Sequence, residues 1–396
     1  MPDRQLGGNR QKLPSLTGLR FFAAALVFCF HASLAKMLDP FADREFADGY
    51  ALLFSKAGWA GVSFFFILSG FVLAWSARPG DTLAGFYRRR LLKIYPNHVV
   101  TWGIALLFFS ATVAGPEVWL PNLLLVHSWV PDLDTFVSVN QPSWSLCSEL
   151  LFYLLFPLLW RWVRAINGNR LWVWFGITFA GLLGTQLIIW AWVPATPRLE
   201  EWPLSELQWW LSYNIPPLRL FEFVLGMLMA RVLKEGRWIG LGISPALALT
   251  GVGYALALVV PWQFGLNVTL AVPLALLVTA VAAADISGRR TGLRGRFISL
   301  LGEVSFAFYL VHYLVLLAVH DLLDERKFAT PVALAVLVAA FAFSQLVGWL
   351  LFVCVERPVM RRWASGGKKQ RVTTSAPSPA SVPDAADEAK PVVQQV

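Results

Sequence analysis

The chain has 396 residues, which by length alone would suit two soluble domains. Apolar residues make up 57% and charged residues only 14%, with 19 Trp, 29 Phe, a net charge of +9 and a mean hydropathy of +0.58. So little charge cannot cover a water-facing surface, which excludes a soluble enzyme, a disordered chain and a disulfide-rich module; no motif makes the positive charge a nucleic-acid signal.

A hydrocarbon core needs about 20 apolar residues of helix per crossing. Ten such runs lie in chain order near 15–37, 57–76, 96–115, 143–163, 171–193, 217–234, 238–260, 264–284, 298–320 and 332–355. This predicts an all-α, polytopic protein of about ten spans. Polar segments with Pro and Gly at their edges separate the runs. The sixth run is the weakest, being short and holding Glu222. Ala-Ser-Leu-Ala at 32–35 loosely imitates a signal-peptide cleavage site, but the preceding run is long and carries Arg20 and His31, so it reads as a first span.

The parse puts 25 of the 33 Lys and Arg on one side, including Arg88, Arg89, Arg90 and Lys93 and the basic C-terminal stretch. Seven fall on the other side: Lys36, Arg44, Lys56, Arg198, Arg219, Arg326 and Lys327. Cytoplasmic loops collect cations, so the first side is cytoplasmic and both termini are expected inside a cell membrane. The expected organisation is a cytoplasmic segment over 1–14, a membrane domain over 15–360 and a disordered cytoplasmic tail over 361–396, where Ser, Pro, Ala and Lys abound. Cys29, Cys147 and Cys354 form no ligand-spaced cluster, so no disulfide and no metal site is expected.

Ionisable groups inside spans are costly and mark function by default. Arg20 and His31 on the first span are 11 residues apart, which places them on one helix face about 16 Å apart along the axis. A snorkelling anchor and a packing histidine are the plain alternatives. On the fourth span Glu149 lies about as far below the outer edge as His31 does on the first, so the carboxylate is expected to pair with the imidazole and raise its basicity. Ser143, Trp144 and Ser145 would line the outer mouth or cap that helix. The run FYRRRLLKIYP at 86–96, just ahead of the third span, carries Arg88, Arg89, Arg90 and Lys93. It suits anionic lipid headgroups or the phosphates of a cytoplasmic cofactor. In the ninth span Ser305, Tyr309 and His312 share a face; interhelical hydrogen bonding is the plain reading of them, lining a pocket the functional one.

Together these segments resemble the acyltransferase-3 family of integral membrane acyltransferases. The likeness rests on Arg-x10-His at Arg20 and His31, GVSFFFILSGFVL at 61–73, RRRLLKIYP at 88–96, SWSLCSELLFYLLFP at 143–157 and LGEVSFAFYLVH at 301–312, and covers about residues 13–360. The resemblance implies ten helices with both termini inside. It implies transfer of an acyl group, often acetyl, from cytoplasmic acyl-CoA to a hydroxyl of a carbohydrate or lipid-linked envelope acceptor. Some members acylate macrolide-like metabolites instead. No cofactor would be bound permanently; acyl-CoA would be a co-substrate.

By the same resemblance His31 and Glu149 are the catalytic candidates. Arg20, Arg88, Arg89, Arg90 and Lys93 would hold the acyl-CoA phosphates. Ser69, Ser143, Trp144, Ser145, Tyr309 and His312 would line the substrate pocket. His31 would act as a general base or be acylated itself. The chain departs from the family pattern at Lys93, where Arg is common, at Ser63, where an acid is frequent, and at Leu150, where a second Glu is common. Outer loops over 38–56, 116–142 and 194–216, with Trp119, Trp129, Trp202, Trp209 and Trp210, would hold the acceptor. A transporter or flippase is the rival class, and the matching halves typical of transporters are not found in the sequence.

Overall fold

The computed structural model describes residues 12–34, 37–77, 80–109, 115–200, 202–324 and 326–364. Most of the segment expected at 1–14 and most of the tail expected at 361–396 lie outside them. Fifteen helices follow one another among the described residues: α1 (Pro14–Ala32), α2 (Arg44–Phe54), α3 (Ala57–Ser76), α4 (Leu83–Phe108), α5 (Pro116–Leu123), α6 (Leu133–Phe136), α7 (Trp144–Ala165), α8 (Leu171–Trp192), α9 (Glu206–Trp209), α10 (Pro216–Lys234), α11 (Ile243–Val259), α12 (Val268–Ile286), α13 (Arg296–Leu323), α14 (Thr330–Leu351) and α15 (Arg357–Val359). No strand is present among these residues, only isolated bridges such as Phe41 with Phe328.

Each of the ten expected spans is a helix: α1, α3, α4, α7, α8 and α10 to α14. Eight helical segments among the described residues are long and apolar enough to cross a membrane. The two that fall short are instructive. α11 is apolar but has 17 residues, about 25 Å of helix. α10 carries Arg219, Glu222, Arg231 and Lys234. The protein is therefore an all-α, multi-pass membrane protein.

The basic run at 86–96 does not precede its span. It is the first half of α4, which starts at Leu83 where the Thr82 hydroxyl accepts a bond from the Gly85 N–H. The first span is shorter than expected, since α1 stops at Ala32.

α3 is apolar on every side and sits at the centre, packed by α1, α7, α10 and α12. Its crossing with α10 is close. A Cβ on Gly70 would stand 1.9 Å from the Phe223 carbonyl oxygen, and one on Gly226 would stand 1.9 Å from that of Ile67. Small residues at this crossing let the two backbones touch. Two of the cations assigned to the outer side belong to this interior. Arg219 is fully buried, with Nη2 2.8 Å from Glu222 Oε2 and its guanidinium 4.3 Å over the Tyr213 ring. Lys56 is 1% exposed beneath Trp262.

The two ends of the bundle are fixed by polar contacts. At the basic end Asp285 accepts bonds from the Ser15 N–H and hydroxyl and from Arg294 Nε, at 2.9, 2.6 and 2.7 Å. A carboxylate there also suits the positive N-terminus of α1. At the other end residues 115–143 fold into the bundle rather than over it. Asn122 Nδ2 donates to the Ser138 carbonyl and the Ser143 hydroxyl, and its own carbonyl meets His98 Nε2 at 3.0 Å. Asn140 donates to the Leu310 carbonyl on α13 at 2.9 Å. These groups are buried, and the bonds they make offset part of their desolvation, while Asn122 Oδ1, Asn140 Oδ1 and His98 Nδ1 stay without a hydrogen-bond partner.

Candidate active site

Two cavities enter the bundle. The inner one, about 640 Å³, opens at the basic end and is lined by Lys12, Arg20, Arg90 and Lys93, then by Ser69, Ser145, Glu149 and Tyr153 deeper in. The outer one, about 400 Å³, is lined by His31, Trp59, Trp144, Trp202, Trp209, Tyr213 and Tyr313, with Asp134 and Glu200 at its exposed rim. Val62 of α3 and Tyr309 of α13 line both. The Tyr309 hydroxyl is held by the Ser145 hydroxyl at 2.8 Å and donates to the Pro142 carbonyl at 3.1 Å.

His31 is 7% exposed and faces α13. At the other end of the same helix pair Gly302 of α13 lets the backbones touch, since a Cβ there would lie 1.9 Å from the Thr17 carbonyl oxygen of α1. The His31 Nδ1 atom stands 3.0 Å from His312 Nε2 and 3.1 Å from the Val27 carbonyl oxygen. His312 Nδ1 lies 2.7 Å from the Tyr309 carbonyl oxygen. A carbonyl only accepts, so the network assigns a hydrogen to His312 Nδ1 and leaves Nε2 as an acceptor when that ring is neutral. Nδ1 of His31 must then donate, and the free lone pair of His31 is on Nε2. The imidazole is set as a base with one open nitrogen.

Glu149 does not pair with His31, contrary to the expectation from depth. Its Oε1 accepts from Ser69 Oγ at 2.8 Å and from the Tyr153 hydroxyl at 2.5 Å. Ser69 is 11 residues along α3 from Gly58, which abuts Phe30 beside His31. The two groups therefore stand about 16 Å apart along α3. The depth estimate counted His31 from an outer edge at residue 37, whereas α1 ends at Ala32 with His31 in its last turn, and Glu149 opens on the inner cavity. There Arg20 and Arg90 are the cations within electrostatic reach of it.

Of the expected phosphate ligands, Arg20, Arg90 and Lys93 reach the inner cavity. Arg20 Nε is buried without a hydrogen-bond partner. Lys93 is ion-paired with Glu356, which also accepts from Asn97 Nδ2 at 2.6 Å. Arg89 meets Asp81 at 2.9 Å and lines neither of these cavities. Arg88 is exposed on the outer face of α4 and also lines neither, so it is not part of this site. Ser143 likewise lines neither; its hydroxyl is taken up by Asn122 and His127. Trp144 opens on the outer cavity and Ser145 on the inner one. Among the described residues no group of three or more His, Cys, Asp or Glu is placed to hold a metal ion.

The expected place of His312 in the pocket lining is not what the structure shows: the ring is fully buried, lines neither cavity and partners His31 from behind, a contact the sequence did not reveal. A signal for the residue itself was present: a second histidine in an apolar helix is as costly as the first. Ser63, where the family often carries an acid, lies 3.3 Å from Arg219 Nη2, and here Glu222 supplies the counter-charge.

Ionisable groups gathered around two cavities that share Val62 and Tyr309 as a common wall inside a helical bundle define a membrane-embedded enzyme or carrier. Comparison with known proteins decides between them: the chain belongs to the acyltransferase family whose description is "Acyltransferase domain", matched over residues 13–351, and is a membrane O-acyltransferase. It is similar to Acyltransferase MdmB of Streptomyces mycarofaciens, at 43% identity over 384 residues, 93% of this chain and 96% of the relative. It is also similar to Exopolysaccharide production protein ExoZ of Rhizobium meliloti, at 29% identity over 80% of this chain and 92% of that one. Peptidoglycan O-acetyltransferase OatA of Listeria monocytogenes is 26% identical over 39% of this chain and 26% of its own length. No solved structure matches the chain.

Proposed function

We propose that the enzyme takes the acyl group of cytoplasmic acyl-CoA through the inner cavity and delivers it to a hydroxyl held in the outer cavity, with His31 as general base. The observation that carries this reading is that the two cavities are back to back, sharing Val62 and Tyr309, with cations around one and His31 in the other. Arg20, Arg90 and Lys93 suit the phosphates of the donor, and the arm bearing the thioester would run toward Tyr309. His31 Nε2 removes the proton of the acceptor hydroxyl as its oxygen attacks the thioester carbonyl. The C–S bond then breaks, and the leaving thiolate takes that proton from the imidazolium. His312 accepts from His31 Nδ1–H throughout and stabilises the charge that forms.

The acceptor we favour is a sugar hydroxyl. Trp59, Trp202 and Trp209 offer ring faces for it, and two relatives carry an exopolysaccharide or peptidoglycan in their names. A second reading, a small hydroxylated metabolite such as a macrolide, is favoured by the outer cavity's volume of about 400 Å³, which suits one compact molecule.

The test uses membrane vesicles carrying the protein, given acyl-labelled acyl-CoA, with mass spectrometry of the products. Label in a glycan or in a small molecule decides the acceptor. His31→Ala should lower the rate by about 10²–10⁴-fold with the protein still folded in the membrane. An active His31→Ala enzyme defeats the base assignment. Movement of the acceptor across the vesicle without covalent label defeats the reaction.

A further inference from the structure

Neither cavity described so far accounts for a third, of about 480 Å³, between α4 and the chain's last helical stretch. Its cations are Arg89, Arg90 and Lys93 from α4 and Arg357 and Arg361 from the stretch after α14. Its one carboxylate, Glu356, is engaged by Lys93 and Asn97. That pairing clamps the last stretch onto α4 and leaves the cavity with more cations than carboxylates in its lining. Arg90 and Lys93 also line the inner cavity, so the two spaces share a wall.

The local backbone supports a built feature. Residues Phe352–Glu356 and Met360–Ala364 are π-helical, on either side of α15. Such widened turns are rare and recur at functional sites. Here they turn Arg357 and Arg361 toward the same cavity. Both residues lie beyond position 351, where the family match ends.

A guanidinium cluster in a surface cavity is suited to phosphate groups, which it can hold by paired N–H···O bonds. We propose that this cavity binds the phosphate-bearing nucleotide end of the acyl donor, with Arg357 and Arg361 as phosphate ligands. The donor then runs past Arg90 and Lys93 into the inner cavity. The inference rests on the acyl-CoA reading above and adds the residues and the cavity that recognise the donor's nucleotide. The other source of the same chemistry is the headgroup phosphate of an anionic lipid.

The experiment compares the intact enzyme with the Arg357→Ala/Arg361→Ala double variant in proteoliposomes of phosphatidylcholine, with and without phosphatidylglycerol. Donors are acyl-CoA, its 3′-dephospho form and an acyl thioester of N-acetylcysteamine, which lacks the nucleotide. The variant's KM for acyl-CoA should rise roughly tenfold or more, with kcat at saturation within about twofold and the short thioester used as before. Discrimination between acyl-CoA and its 3′-dephospho form should shrink. Arg357→Lys/Arg361→Lys, which keeps the charge but loses the fork, should fall between and guards against misfolding. If the variant's KM for acyl-CoA is unchanged while the intact enzyme uses acyl-CoA, this proposal fails and the donor reading stands. A variant effect that depends on phosphatidylglycerol and is equal for all three donors assigns the cavity to lipid and overturns the proposal. An intact enzyme that does not use acyl-CoA overturns both.

Discussion

His312 gives the sharpest test of the site's geometry. His312→Phe keeps an aromatic ring in a fully buried place and removes the Nε2 acceptor that stands 3.0 Å from His31 Nδ1. The loss should be partial, because the Val27 carbonyl at 3.1 Å still holds the Nδ1 hydrogen and so keeps the tautomer. What goes is one hydrogen bond to a ring that becomes cationic in the transition state, worth about 1.5–3 kcal/mol. At about 1.36 kcal/mol per decade, kcat should fall about 10- to 150-fold. Most of that range lies below the loss of about 10²–10⁴-fold expected from His31→Ala. The assay is the initial rate at saturating donor and acceptor, with thermal unfolding in detergent as the folding control. His312→Gln presents a carbonyl oxygen as acceptor and should recover part of the rate that His312→Phe loses. A His312→Phe enzyme within about twofold of the unaltered one refutes the argument. Equal losses in the Phe and Gln variants would show that packing, and not the acceptor, is what matters.

Two further substitutions probe what surrounds the site. Glu149→Gln keeps an acceptor for Ser69 and Tyr153 and removes the charge beside Arg20 and Arg90, so it should alter the donor KM, while a change confined to kcat would restore the pairing with His31 that depth alone suggested. Arg219→Met leaves Glu222 buried without its partner and should lower stability by about 3–5 kcal/mol, read as a lower unfolding temperature in detergent; Arg219→Met/Glu222→Leu should recover most of it, and a single variant as stable as the parent would contradict the ion pair.

The spans were legible because apolar length is a one-dimensional signal, and hydrophobic runs of 20 residues have few other uses. The signal failed where polar residues share a helix with apolar ones. α4 starts at Leu83, but its first half holds Arg88, Arg89, Arg90 and Lys93, so hydropathy begins the span near residue 96. Arg219 was counted with the cations of the outer side because it falls at the edge of the sixth span, although it is buried within α10. The pairing of side chains was harder to read, because it depends on which helices touch. His31 and His312 are 281 positions apart and meet only because α1 lies along α13. The matched depths of His31 and Glu149 assumed an outer edge at residue 37, whereas α1 ends at Ala32. Asn122, Ser138, Asn140 and His98 seat residues 115–143 inside the bundle, and no hydropathy count contains that fact.

The shared face of Arg20 and His31 does hold, and the structure gives it a different use from the one the spacing suggested. The two residues open on separate cavities, so α1 spans both half-sites instead of lining a single channel. Between the half-sites stands Tyr309, whose hydroxyl is fixed by Ser145 and Pro142 at the start of α7. Its carbonyl oxygen receives the hydrogen of His312 Nδ1, and His312 in turn receives that of His31. One turn of α13 therefore supplies both the wall between the cavities and the group that sets the base. Tyr309 thus touches both cavities through its side chain and reaches His31 through its backbone carbonyl and His312.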